Sequence, residues 1–147
     1  MPNWVEGTFK VRGTLSNIER FVRENILDAM ISIYKCEGDL ELEILGEAYV
    51  KDSNRIFIYP GNYYSFERDG INTKSTLTLQ FKAAWKVSID PFVKMSKVYD
   101  VDIKIYGFEK GSEFNQDIVI INGEVIKNDI ITFNDYEWEC PFPDLGG

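Results

Sequence analysis

Apolar and polar residues alternate along most of the chain, and this pattern predicts that β-strands dominate the fold. Leu40–Leu45 reads L-E-L-E-I-L and places Glu41 and Glu43 together on one face of a strand. Val101–Tyr106 reads V-D-I-K-I-Y and alternates in the same way. Further strands are predicted from alternation or from a short β-rich composition at Thr8–Arg12, Met30–Tyr34, Arg55–Tyr59, Ser75–Phe81 and Ile130–Phe133.

Two segments carry the apolar spacing of a helix instead. Ser16 begins a capping box with Glu19, and one apolar stripe then continues to about Asp28. Ser88 or Asp90 can cap a second helix, in which proline 91 suits the first turn. The apolar stripes of the two helices comprise Ile18, Phe21, Val22 and Ile26 in the first and Ile89, Phe92 and Val93 in the second.

Turn signals separate these elements. Asn122-Gly123 lies between Ile118–Ile121 and Glu124–Ile126, which is the strongest short-range signal for a β-hairpin. Pro60–Ile71 is the most loop-like part of the chain, although it is unusually aromatic for a surface loop. The tail, Asn134–Gly147, is turn-like.

In order, these elements predict an α+β fold. Without the β-rich segment around residues 40–74, they read β-α-β-β-α-β, the ferredoxin-like arrangement with two helices on one face of an antiparallel sheet. We therefore expect a single ferredoxin-like domain over residues 1–147, with an inserted β-rich segment and a C-terminal β-hairpin. Thr8–Arg12 and Val101–Tyr106 should pair in that sheet.

Charge and composition exclude some classes of function and disfavour others. The chain has no histidine, which excludes histidine-based acid/base catalysis, Ser-His and Cys-His nucleophile pairs and His-liganded metals. Sixteen basic and 24 acidic residues give a net charge of −8. Because this field repels phosphates, direct nucleic-acid binding is disfavoured, whereas protein partners with a basic surface are attracted.

The cysteines and the hydropathy of the chain indicate the cellular compartment to expect. Cys36 and Cys140 are far apart, and neither belongs to a C-x-x-C pair, so two reduced thiols are expected, with no metal and no cofactor. No apolar run approaches the length of a transmembrane helix, and the first residues lack the features of a secretory signal. We expect a cytoplasmic protein with no membrane association.

Three short motifs occur together in an order that is informative. They are M-P-N-W at residues 1–4, F-K-A-A-W at Phe81–Trp85 and Y-G-F-E-K-G-S-E-F-N-Q at Tyr106–Gln116. This set resembles the YubB-like ferredoxin-like proteins of phages and plasmids. The tail D-Y-E-W-E-C-P-F-P-D-L-G-G resembles a subgroup in Gram-positive phages. The resemblance implies a ferredoxin-like fold, an origin in a mobile element and residence in the bacterial host's cytoplasm, but no catalytic residue.

Trp85, Glu109, Gly111 and Phe114 form a possible ligand-binding set. Trp85 lies at the junction between a predicted strand and the second predicted helix, and backbone N–H groups are free at such a junction. Glu109 is expected to accept hydrogen bonds from the N–H groups that begin the second helix. With Glu113 it could instead form an acid/base pair.

Two further segments are candidates for binding a protein partner. Glu41 and Glu43 should lie about 7 Å apart on one strand face, close to the phosphate spacing of a nucleic-acid strand, so they could mimic phosphates. Alternatively, Glu41 and Glu43 belong to an outer strand face that is simply solvated. In the tail, Asp135, Tyr136, Glu137 and Trp138 alternate acids with aromatic residues, which suits docking on a basic, partly apolar surface.

The tail could equally be a strand laid against the sheet. If it does bind a partner, we expect it to matter more than the strand, because it adds an aromatic anchor to its charges.

These observations favour a non-enzymatic phage or prophage accessory protein. It would bind a host protein with a basic surface, for instance as an anti-CRISPR-like inhibitor of a nuclease-based defence system. One alternative is a binder that sequesters a nucleotide signal near Trp85, with Lys82, Lys86 and Lys110 as the available cations. Another is a small carboxylate-dependent hydrolase that uses Glu109.

Overall fold

The computed structural model describes residues 1–67 and 74–147. In this part of the chain there are eleven strands and three helices. The strands are β1 (Trp4–Gly13), β2 (Ile26–Leu27), β3 (Met30–Cys36), β4 (Asp39–Leu45), β5 (Ala48–Val50), β6 (Ile56–Ile58), β7 (Gly61–Phe66), β8 (Ser75–Ala84), β9 (Asp102–Glu109), β10 (Phe114–Ile121) and β11 (Glu124–Thr132). The helices are α1 (Leu15–Asn25), α2 (Asp90–Tyr99) and α3 (Tyr136–Glu139).

The strands form two antiparallel sheets. The large sheet has eight strands in the order β11-β10-β9-β1-β8-β6-β5-β2, and the small sheet has three in the order β3-β4-β7, both counted over the described residues. The predicted pairing of Thr8–Arg12 with Val101–Tyr106 is confirmed, since β1 pairs antiparallel with β9. The predicted hairpin at Asn122-Gly123 is also confirmed, and it joins β10 to β11.

Both long helices pack on the same face of the large sheet. Phe9 of β1 lies at the centre of this packing, with ring centroids 5.3 Å from Phe92 of α2 and 6.3 Å from Phe21 of α1. The core is continuous with the buried face of the small sheet, because Leu42 and Ile44 of β4 belong to the same cluster. The small sheet is thereby fixed against the rest of the core.

The predicted ferredoxin-like α+β fold is wrong. In that fold the predicted strand Met30–Tyr34 would lie beside β8, but the strand there is β6, and Met30–Tyr34 belongs to β3 of the small sheet. The segment around residues 40–74 supplies strands to both sheets instead of forming a peripheral insertion. The protein is mostly β, and among the described residues its helices span only 11, 10 and 4 residues.

Several local predictions also need correction. The first helix is capped by Thr14, whose hydroxyl accepts a hydrogen bond from the N–H of Asn17 at 3.1 Å, and not by Ser16. Within the predicted loop Pro60–Ile71, residues 61–66 form β7, and residues 68–71 lie outside the described residues. Ile130–Phe133 is not a separate strand, because β11 continues to Thr132.

The tail crosses the face of the large sheet opposite α1 and α2, which we call the open face. The N–H of Gly147 donates to the carbonyl of Trp4 at 2.8 Å, and the N–H of Gly146 donates to Oε2 of Glu6 at 3.0 Å. Phe142 packs edge-on against Phe108, with ring centroids 5.7 Å apart. The tail therefore closes one end of the open face.

Candidate functional site

The outward side of the small sheet gathers acidic and aromatic side chains. Glu41 on the central strand β4 lies directly between Tyr34 of β3 and Tyr64 of β7. One row along the strands, Asp39 lies between Cys36 and Phe66. We name this surface, comprising Tyr34, Asp39, Glu41, Glu43, Tyr64 and Phe66, the acidic–aromatic face.

Period-two alternation explains why these side chains point outward. Leu40, Leu42 and Ile44 of β4 are buried in the core, so the intervening Asp39, Glu41 and Glu43 must lie on the other side of the strand. Glu41 and Glu43 are half-buried, not fully solvated, because side chains of β3 and β7 flank them.

The aromatic members of this face are unusually exposed. Tyr34, Tyr64 and Phe66 have 53%, 50% and 58% of their surface in solvent. The rings of Tyr64 and Phe66 are stacked, with centroids 6.3 Å apart and planes within 7°. Isolated exposed aromatic residues are ordinary, but three on one rigid sheet face are typical of an interaction surface.

Sequence reasoning found Glu41 and Glu43 but missed Tyr34. Tyr34 was assigned only to a short strand, because alternation in one strand does not reveal which residues oppose it on the next. The aromatic content of Pro60–Ile71 was the available signal for Tyr64 and Phe66.

The C-terminal candidate residues are divided by α3. Tyr136 is 4% exposed, and its hydroxyl donates a hydrogen bond to Oδ1 of Asn115 at 2.8 Å. It therefore anchors the tail and does not belong on a docking surface. Trp138, in contrast, is 85% exposed, and its neighbours Asp135 and Glu137 are exposed as well. The tail does not form the strand that was the alternative prediction, because residues 136–139 are helical.

Glu109 has a structural environment. It is 1% exposed, and its carboxylate accepts hydrogen bonds from the N–H groups of Gly111 at 2.5 Å and Ser112 at 2.9 Å. These donors belong to its own turn, so the expectation that Glu109 accepts from the start of the second helix is wrong. A Cβ at Gly111 would lie 2.8 Å from Oε1 of Glu109 and 2.7 Å from Nδ2 of Asn3, so a larger residue there would have to displace these side chains.

Trp85 is exposed and its backbone is already occupied. It adopts a left-handed conformation with φ of 66°, and its N–H donates to the carbonyl of Asn3 at 2.8 Å. The expectation of a free backbone N–H at Trp85 is therefore wrong. Phe114, the remaining member of the predicted ligand set, is half-buried against the main core.

On the open face, ion pairs form and pKa values are shifted at residues outside the predicted binding sets. Asp117 accepts hydrogen bonds from Nζ of Lys104 and Nζ of Lys127, each at 3.0 Å. Burial alone disfavours the charged form of Asp117, but these two lysines outweigh it and lower the pKa of the carboxyl group. The pKa of Tyr59 is raised, first by burial and then by its hydrogen bond to Glu6.

Over the described ranges, no helix is both long and apolar enough to cross a membrane. Within the same ranges, no group of three or more acidic or cysteine side chains has the arrangement of a metal site. Comparison of the chain with protein-family models, with curated proteins and with solved structures found no match, so membership of the YubB-like family stays a prediction.

Proposed function

We propose that the protein is a non-enzymatic binding protein that docks a basic protein partner on its acidic–aromatic face. The observation that carries this proposal is the position of Glu41 directly between Tyr34 and Tyr64. Aromatic rings anchor interfaces through their large area, while carboxylates select arginine and lysine side chains on the partner.

The charge of this face is uniform. Its outward positions on β3, β4 and β7 carry acidic, neutral polar and apolar residues, with no lysine or arginine among positions 30, 32, 34, 36, 39, 41, 43, 45, 62, 64 and 66. Lys35, on the inward side of β3, pairs with Glu19 of α1 at 2.7 Å. A basic partner therefore meets no like charge on these positions.

The hydrolase alternative loses support from the environment of Glu109. A general acid or base must reach a substrate proton, but both oxygens of this buried carboxylate accept hydrogen bonds from the turn at residues 111–112. In the phage or prophage setting that the resemblance implies, the basic partner would be a nuclease of a host defence system. That finer assignment rests on the resemblance alone.

The exposed tail helix is the second candidate surface for the same function. Trp138 is held out into solvent by a short helix whose Tyr136 is fixed in the interior. Such a preorganised aromatic residue is a good anchor. The acidic–aromatic face ranks first because it offers three aromatic rings and three carboxylates on one sheet.

The test begins by capturing a partner from host lysate and purifying it. The kinetics of its binding to the wild type and to variants then show whether it docks on the acidic–aromatic face. Glu41→Lys combined with Glu43→Lys should slow association at least about tenfold, because steering by opposite charge is lost. The matched control is Glu113→Lys with Glu124→Lys, which changes net charge equally at exposed positions elsewhere. Wild-type affinity should also fall as salt rises.

Three results would contradict the proposal. One is an equal loss of association in both charge-reversal pairs, which would indicate only a net-charge effect. Another is unchanged binding in the Glu41 and Glu43 reversal while Trp138→Ala accelerates dissociation, which would move the docking surface to the tail. A partner whose captured surface is acidic would also exclude charge complementarity.

A further inference from the structure

Three lysines lie in one straight row across the open face of the large sheet. Lys127 of β11 is opposite Val119 of β10, which is opposite Lys104 of β9. Lys104 is in turn directly opposite Lys10 of β1. Like charges directly opposite each other on neighbouring strands destabilise a sheet. This pairing therefore needs a compensating interaction.

The carboxylates of the open face compensate every neighbouring cation except Lys10. Lys104 and Lys127 share Asp117, and Arg12 contacts Asp102 at 2.7 Å. Lys10 has no carboxylate within ion-pair distance among residues 1–67 and 74–147. In an acidic protein, the half-buried residue Lys10 is a local positive site without an anion of its own.

Two clefts lie along β1 on the open face, one at this cationic site and one that is largely apolar. The first cleft, lined by Lys10, Arg12 and Lys104 and also by Asp102, the partner of Arg12, has a volume of about 260 Å³. Further along β1, a second cleft of about 290 Å³ lies between Thr8 and the tail residue Phe142. Thr8 and Lys10 are two residues apart on the same face of one strand, so the clefts are neighbours along β1, although they share no lining residue. Each alone is just below the usual size of a ligand pocket, about 300 Å³, so a ligand larger than a simple anion would extend over both.

The apolar cleft has both stacking surfaces and hydrogen-bonding edges. Phe108, Phe142 and Tyr59 supply rings and Gln80 supplies an amide, whereas both oxygens of Glu6 already accept hydrogen bonds, from the hydroxyl of Tyr59 and the N–H of Gly146. A planar heterocycle would therefore find ring faces beside it and donors and acceptors at its edge.

We propose that these two clefts bind a mononucleotide, with its phosphate between Lys10 and Lys104 and its base in the cleft beside Phe142. The phosphate supplies the anion that Lys10 lacks, since Lys104 already pairs with Asp117. This site lies away from Trp85, where the sequence suggested a nucleotide binder, and it is independent of the partner-docking proposal. A nucleic-acid strand fits less well, because the tail closes the apolar end and the overall charge of −8 repels a polyanion.

NMR titration of the intact protein with AMP tests the proposal, with inorganic phosphate, adenosine and a ten-nucleotide single strand as parallel probes. AMP should shift amide signals of β1 and β9 and should bind at least about tenfold more tightly than phosphate or adenosine alone. Lys10→Ala should weaken AMP binding about tenfold or more, because a charged hydrogen bond is lost. The matched control Lys86→Ala removes an exposed lysine near Trp85 and should leave binding unchanged.

Phe142→Ala separates the two halves of the site. It should weaken AMP binding while leaving the weak phosphate binding intact, since Phe142 lies on the apolar side. The proposal is overturned if AMP causes no shifts, if Lys10→Ala binds AMP as the wild type does, or if phosphate and AMP bind equally. Tighter binding of the oligonucleotide than of AMP would also overturn it. Unchanged circular dichroism spectra will establish that each variant is folded.

Discussion

Gly7 of β1 and Gly107 of β9 lie directly opposite each other in the large sheet. A Cβ at position 7 would lie 2.0 Å from the carbonyl oxygen of Tyr106. A Cβ at position 107 would lie 2.2 Å from Cγ1 of Val5. The close approach of β1 and β9 therefore depends on two glycines facing each other.

Alanine at either position should destabilise the protein, but only one of the two variants should be rescued. Gly107→Ala meets a side chain, so adding Val5→Ala relieves the clash, and the double mutant should lose less stability than the two single losses together. Gly7→Ala meets backbone and cannot be relieved in this way. Overpacking costs about 1–3 kcal/mol, and urea denaturation of the single and double mutants measures it. Strictly additive effects of Val5→Ala and Gly107→Ala would contradict the geometry.

Local patterns in the sequence predicted the strands better than their arrangement. Leu40–Leu45 corresponds closely to β4, and Pro91 correctly indicated the start of α2. Alternation shows which residues of one strand share a face, but it does not show which strands are neighbours. The ferredoxin-like prediction failed for this reason, since β4 pairs with β3 and β7 in a separate sheet.

The difference between alternation within a strand and pairing between strands also explains which parts of the candidate site could be predicted. That Glu41 and Glu43 share a face followed from their spacing alone, whereas their aromatic neighbours depend on register across three strands. In the tail, the alternation of acids and aromatic residues predicted a docking surface, with a strand against the sheet as the alternative, but the chain makes a helical turn there. Tyr136 and Cys140 are four residues apart and both buried, so the intervening Trp138 points to solvent.

Removing the hydroxyl of Tyr136 should loosen the tail. Tyr136→Phe leaves Oδ1 of the fully buried Asn115 with only the weak donor Sγ of Cys140 at 3.7 Å, and the loss of one such hydrogen bond costs about 1 kcal/mol. We expect a lower melting temperature and faster hydrogen exchange at residues 136–147. Tyr34→Phe, which removes a hydroxyl from an exposed ring, is the control and should leave both measurements unchanged. Equal exchange rates in Tyr136→Phe and wild type would show that the tail is held by other contacts.

The ion pairs of Asp117 should make stability depend on acidity. Because the folded pKa of this carboxyl group is lowered, its contribution is present above the unfolded pKa and is lost as pH falls through the folded pKa. Asp117→Asn should therefore melt below the wild type at neutral pH, and the difference should shrink from about pH 4 downward. Thermal melts across this pH range measure it. A difference that persists unchanged at about pH 2 would show that charge is not its cause.

The two thiols should differ sharply in reactivity, and the reactive one reports on the acidic–aromatic face. Both cysteines are free, with Cys36 exposed and Cys140 buried. A thiol reagent should therefore modify one group per native chain rapidly and the second only after denaturation, and Cys36→Ser should abolish the rapid phase.

Cys36 is opposite Asp39, at the end of the acidic–aromatic face, so a bulky maleimide on its sulfur would stand among the residues proposed to dock the partner. We expect labelling to weaken partner binding and bound partner to slow labelling. A reagent that adds only a small S-methyl group to the sulfur of Cys36 should affect partner binding less than the maleimide, because it adds little volume. Full-affinity binding by the maleimide-labelled protein, with labelling unaffected by partner, would place the docking surface elsewhere. A simultaneous loss in Trp138→Ala would then identify the tail as that surface.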